Sequence, residues 1–168
     1  MLKNGSDKEN HAKQPESDEP NFNLKIQSQF IRDLSFENLI THKNKDANIQ
    51  QDIDVHVDLD VHKHQEKNTF TVSTKYTVKS ISKSDRQPIF ILELDYAGLF
   101  IVDGIPENQL HPFLFIECPR LLFPYARRII SDITHDSGLR PLNLEHINFV
   151  QIYRKEINRK ESEKVVNN

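Results

Sequence analysis

In residues 52–64, DIDVHVDLDVHKH, apolar and polar residues alternate without a break as far as His62. Ile53, Val55, Val57, Leu59 and Val61 hold the odd positions, and Asp52, Asp54, His56, Asp58, Asp60, His62 and His64 the even ones. A helical period would scatter both sets around the axis, whereas a strand gathers each set on one face. The stretch therefore predicts a half-buried strand with its aliphatic side on a core and its Asp/His side in water. The three histidines share the wet face, but neighbours along it lie roughly 7 Å apart, too far for a compact metal shell from one strand. The lone Cys118, beside Pro119, lacks the paired spacing of a zinc site, so no metal is expected.

Three further stretches follow the same rule. FNLKIQSQFI sets Phe22, Leu24, Ile26, Ser28 and Phe30 against Asn23, Lys25, Gln27 and Gln29, and TFTVSTKYTVKSI is rich in β-branched residues. PIFILELDYAGLFIV carries Phe90, Leu92, Leu94 and Tyr96 on one face and Ile91, Glu93 and Asp95 on the other, with Ala97-Gly98 predicting a bend or bulge. The short polar links QEKN and SKSDRQ predict hairpins and an antiparallel meander. Beyond DGIPENQL the period becomes helical: Leu122, Ala126, Ile129, Ile130 and Ile133 form a stripe, and Gly138 is a C-terminal stop. Pro119 and Pro124 are expected to break this helix from the apolar run HPFLFIEC before it. After the loop LRPLNLEH, Phe149, Ile152, Tyr153 and Ile157 mark a last helix. The fold class is α+β, a four-stranded antiparallel sheet followed by two to three helices. Such a sheet needs more apolar cover than these helices supply, and oligomerisation is the simplest source.

The 168 residues make one domain with unequal ends. Residues 1–20 have no large apolar residue after Leu2 and are expected to be a disordered tail; the folded body is expected over 21–158 and a loose tail over 159–168. Neither a membrane-span-length apolar run nor a charged leader with an apolar core is present, so the chain reads as soluble and not itself secreted. One cysteine excludes an internal disulfide framework and fits the cytosol. With a net charge of −3 and dispersed cations, nucleic-acid binding gains no support; Arg154, Lys155, Arg159 and Lys160 mix with Glu156 and Glu161 as a solvated helix side would.

Catalytic patterns are sparse. Four glycines leave no room for a phosphate loop, and GxSxG is absent. Cys118 with His111 or His135 would make a nucleophile and base, against the plainer reading of a small buried hydrophobe. Asp33 and Glu37 in RDLSFEN sit at i, i+4, either an acid/base pair or polar residues at a strand exit. The residues favour a binding protein over an enzyme, with no catalytic residue and no cofactor.

The stretch CPRLLFPYARRIISD, residues 118–132, is similar to the most characteristic segment of the SecB family of bacterial protein-export chaperones. RDLSFEN at 32–38, YAGLFIVDGI at 96–105 and LNLEHINF at 142–149 fall in the family order, so the resemblance covers about residues 22–155. It implies a tetramer, a dimer of dimers, that holds precursor proteins unfolded in the cytosol and passes them to the SecA motor ATPase. It implies neither catalysis nor nucleotide.

Unfolded clients call for broad apolar grooves with little sequence demand, and aromatics suit them. Family-like motifs and apolar pattern together mark Phe36, Phe90, Phe149 and Tyr153 as groove candidates, each with a place in the core as its alternative. The resemblance implies that Asp33, Glu37, Ile91 and Glu93 dock the motor, and that Leu92, Leu94 and Tyr96 belong to the helix-facing, tetramer-building surface. Two departures stand out. Where family members commonly have Trp-Pro before the second strand, this chain has Ile49-Gln50-Gln51 and no tryptophan at all, and its C-terminal tail is mixed in charge. Any zinc in the tail's contact with the motor would belong to the partner. The rival readings are a SecB-like chaperone guarding an antitoxin, a metal- or cysteine-dependent enzyme, and a purely structural oligomer.

Overall fold

The structure, a computed structural model, describes residues 22–40 and 49–166, with side chains through residue 159. The expected tail over residues 1–20 lies outside the described residues. Four strands, β1 (Asn23–Asn38), β2 (Gln51–Lys63), β3 (Thr69–Ser82) and β4 (Pro88–Asp103), precede two helices, α1 (Glu107–Asp136) and α2 (Phe149–Val166). All strand pairs are antiparallel, and the sheet order is β1-β4-β3-β2.

The alternation in β2 does what its period demands. Ile53, Val55, Val57, Leu59 and Val61 share the helix side with their β3 partners Ser80, Val78, Tyr76, Thr74 and Val72. His56 and Asp58 stand exposed on the opposite, outer face, opposite Thr77 and Lys75. On β4 the split also holds: Phe90, Leu92, Leu94, Tyr96 and Phe100 are buried under the helices, and Ile91, Glu93 and Asp95 face outward.

The meander does not extend to β1. β2, β3 and β4 are joined by tight turns, but β1 lies beside β4 at the far edge of the sheet. The connection from β1 to β2 is long enough to cross the sheet, and β4, apolar on most of both faces, takes a central place flanked on both sides. β1 is also longer than expected: RDLSFEN belongs to the strand and is not a polar exit. Two bulges allow this. Ile26 pairs with Phe100 and Ser28 with Leu99, leaving Gln27 extra; Ile31 pairs with Tyr96 and Asp33 with Asp95, leaving Arg32 extra. Each extra residue flips the strand's parity. Leu24 and Ile26 therefore point to the helices, while Phe30, expected on their side, lies outward opposite Ala97 and is 42% exposed.

Ala97-Gly98 makes no bend; β4 runs through it unbroken. Gly98 is needed for a close approach, because a Cβ there would meet Phe100 Cε2 at 2.8 Å and Leu122 Cδ2 at 2.9 Å.

HPFLFIEC is not a separate element. α1 is one helix of 30 residues with Pro112, Pro119 and Pro124 inside it. Each proline removes one ladder bond, but Leu114, Phe115, Cys118, Leu122, Phe123, Ala126, Ile129 and Ile130 are all buried along the helix, and this tertiary burial outweighs the local penalty. Gly138 ends α1 as expected. It adopts φ 82, its N–H reaches His135 O at 2.9 Å, and Leu139 N–H reaches Thr134 O at 3.2 Å. Asn148 caps α2, its Oδ1 accepting from Gln151 N–H at 3.1 Å. α2 continues to Val166, past the point where the folded body was expected to end.

Candidate functional site

The outer face of the sheet is laid out in cross-strand rows. From β1 to β2, one row reads Asp33, Asp95, Lys75, Asp58; the next Ser35, Glu93, Thr77, His56; the third Glu37, Ile91, Lys79, Asp54. Residues directly opposite one another share a face and touch, so the four residues assigned to motor docking, Asp33, Glu37, Ile91 and Glu93, occupy adjacent places on β1 and β4. The second β1 bulge restores the parity that the first reverses; with the first alone, Asp33 and Glu37 would face the helices. Sequence spacing alone had them four apart; the sheet brings them beside Ile91 and Glu93.

Acid predominates on these rows. Lys75 Nζ lies 3.6 Å from Glu93 Oε1, and Arg32 Nε lies 3.6 Å from Asp95 Oδ2, both as partly exposed pairs of small energy. Asp33, Glu37, Asp54 and Asp58 are exposed. The histidines add a mixed margin: His56 Nε2 is 3.1 Å from Asp58 Oδ1, His64 Nε2 is 2.7 Å from Thr71 Oγ1, and His62 stands edge-on to His64 with centroids 5.1 Å apart. Among the described residues no three His, Cys, Asp or Glu side chains are grouped to hold a metal ion. Cys118 is fully buried, and burial first, then Glu117 beside it, pushes its thiol up to about 12. A thiol so held is protonated at neutral pH and is not a nucleophile.

The groove candidates divide into two places. Phe36 stacks on Phe90 at 5.5 Å on the helix side of β1 and β4, while Phe149 and Tyr153 lie on α2. Phe90 and Phe149 are each 1% exposed and serve the core of the protomer, Phe149 edge-on to Phe123 at 6.1 Å. Phe36 and Tyr153 are half-buried and keep surface to offer; Tyr153 is held by His111 Nδ1 at 3.0 Å from its hydroxyl.

The residues expected at the tetramer-building surface lie on the helix side of β4. Leu92 and Leu94 have no exposed surface even in a single protomer, because α1 and the neighbouring strands enclose them. Tyr96 is 7% exposed, stacked on Tyr125 at 6.5 Å. Their effect on assembly would pass through the packing beneath it. The large apolar side chains most exposed on α1 are Leu121 and Tyr125, 41% and 47% exposed.

An apolar cleft escaped the sequence reading. Phe22, 51% exposed, meets Phe113 edge-on at 5.9 Å, and with Ile105, Pro106, Pro112 and Ile116 they line a cavity of about 460 Å³ where β4 turns into α1. The signal was HPFLFIEC, whose apolar residues exceed one helical stripe: Leu114, Phe115 and Cys118 face the core, leaving Phe113 and Ile116 for the cleft. None of the described helices is long and apolar enough to cross a membrane.

Known proteins share both sequence and fold with this chain. A protein-export protein SecB of Ruegeria sp. (strain TM1040) is 48% identical over 155 residues, spanning 92% of this chain and 94% of that relative. One of Dinoroseobacter shibae is 50% identical over 137 residues, covering 82% and 80%. A SecB-like chaperone of Mycobacterium tuberculosis, solved in complex with an antitoxin peptide, superposes with a TM-score of 0.62 at 19% identity, covering 74% of this chain and 91% of that one, a likeness of fold. Residues 16–160 match the family described as preprotein translocase subunit SecB, and the chain belongs to that family.

Proposed function

We propose that this chain is a cytosolic export chaperone, a holdase that keeps unfolded precursor proteins translocation-competent and delivers them to the SecA motor ATPase, working as a homotetramer built as a dimer of dimers. The observation that carries the delivery half is the outer face, where Asp33, Glu37, Ile91 and Glu93 sit on adjacent cross-strand positions and carboxylates outnumber cations. Such a face recruits a basic partner surface by charge, raising the association rate more than the final affinity, while Ile91 supplies an apolar contact among the charges.

Holding clients draws on the opposite side. Unfolded chains offer apolar side chains of any sequence, and the Phe22–Phe113 cleft, with half-buried Phe36 and Tyr153, offers aromatic surface in return. Without a tryptophan ahead of β2, these phenylalanines carry more of the groove. A cysteine-dependent enzyme loses its nucleophile to the burial of Cys118.

The test is capture. The purified protein is added to a slowly folding precursor on dilution from denaturant, with the already folded precursor as control. Delayed refolding of the unfolded form alone, together with SecA binding lost in Glu93→Lys, is the expected result. Refolding at the unassisted rate would refute the holdase reading and move a structural role ahead.

A further inference from the structure

We propose that Asp95 is a fifth contact of the docking face and that Arg32 holds its place until a basic partner displaces it; this rests on the docking role proposed above. Arg32 is the extra residue of the second β1 bulge, between Ile31 opposite Tyr96 and Asp33 opposite Asp95. A bulge residue is free of the strand's alternation. Its side chain lies along the outer face, with Nη1 donating to Ser73 Oγ on β3 at 3.2 Å and Nε 3.6 Å from Asp95 Oδ2 on β4. Because β4 lies between β1 and β3, the guanidinium spans the central strand. Ser73 and Ala97 sit opposite each other on this face yet are 4% and 0% exposed, as they must be beneath such a strap.

Asp95 is the most confined carboxylate on the face. Asp33 is directly opposite on one side and Lys75 on the other. Two acids at directly opposed positions repel each other. Asp95 Oδ1, moreover, is shut off from solvent with no hydrogen-bond partner among the described residues. A buried acceptor left unsatisfied is costly and calls for an explanation. Arg32 does not supply one, since its Nη1 is engaged by Ser73 and its Nε lies a loose 3.6 Å from the other oxygen, Oδ2.

A cationic side chain arriving from above would do better. A guanidinium set side-on to a carboxylate meets both oxygens at short distance, roughly twice as strong as a neutral hydrogen bond. Displacing Arg32 costs little, because its side chain is 45% exposed and such ion pairs contribute little. A neutral or acidic segment gains nothing from the exchange. Arg32 and Asp95 would thus add a preference for partners that present arginine, or failing that lysine, over this strand.

The experiment measures binding of purified SecA to the full-length protein, at low and moderate salt, for the native chain, Asp95→Asn, Arg32→Gln, the double variant, and Glu93→Lys. Asp95→Asn is expected to weaken binding severalfold. Arg32→Gln is expected to tighten it severalfold, a sign that no folding defect imitates. In the double variant the gain from Arg32→Gln should vanish, because Arg32 acts through Asp95. A gain that persists in the Asp95→Asn background reduces Arg32 to bulk face charge and overturns the proposal, as does native affinity in Asp95→Asn. Defective Glu93→Lys beside a silent Asp95→Asn overturns only the fifth contact, whereas normal binding by Glu93→Lys removes the docking role and this inference with it.

Discussion

Replacing Gly98 with alanine tests how tightly α1 lies on the sheet. An added Cβ would stand 2.8 Å from Phe100 Cε2 and 2.9 Å from Leu122 Cδ2, short of the ordinary carbon contact by roughly 0.7 Å or more. Both neighbours are 0% exposed, so neither can swing into open space, and the shift passes into the layer between β4 and α1. Overpacking of this kind costs about 1–3 kcal/mol. Alanine recovers about 0.5–1 kcal/mol by restricting the unfolded chain. The net expectation is a loss of about 1–2 kcal/mol. Leu122→Ala alone should cost about 2–5 kcal/mol through its cavity. It also removes one of the two side chains that Gly98→Ala strikes and opens space into which the Phe100 ring can shift, so the second change should cost less in that background. Equilibrium urea unfolding at one fixed protomer concentration, because assembly couples to stability, measures all four members of the cycle. A native midpoint for Gly98→Ala, or the same loss in both backgrounds, would refute the reasoning.

Two other expectations can be checked on the same material. Since burial holds the Cys118 thiol up to about 12, the unfolded chain releases this proton above about pH 8.5 while the folded chain retains it, so stability falls by up to about 1.4 kcal/mol per pH unit from there upward. Cys118→Ala should flatten that part of the profile, and an unchanged slope would contradict the assignment; thiol reagents should label the native protein only after unfolding. Leu121→Ala with Tyr125→Ala, both substantially exposed on α1, should cost the protomer about 0.5–1.5 kcal/mol through loss of the Tyr96–Tyr125 stack but shift sedimentation toward smaller species. Unchanged sedimentation would place the assembly surface elsewhere.

The site shows where local pattern stops being informative. Asp33 and Glu37 carry the family motif, and Glu93 and Ile91 lie on an outward face that period two announces by itself. Nothing in the chain says that β1 pairs with β4, so the meeting of the four residues is a fact of the sheet. Phe90 and Leu94 look like any apolar strand residues whether they line a groove, an interface or a core; only the overlying α1 makes them core.

By itself the sequence determined the strand faces of β2 and β4, the buried stripe of α1, its stop at Gly138 and the start of α2, because periods of 2 and 3.6 and an αL glycine are properties of neighbouring residues. Tertiary structure alone decided the rest: β1 at the far edge, the bulge at Gln27 that turns Phe30 outward and the bulge at Arg32 that restores the parity of the acidic motif, and one unbroken α1 through three prolines. Those outcomes depend on residues distant along the chain. A strand's alternation records which side chains share a face without recording its partner, and a proline's local penalty is overcome only where the folded sheet offers apolar surface to cover.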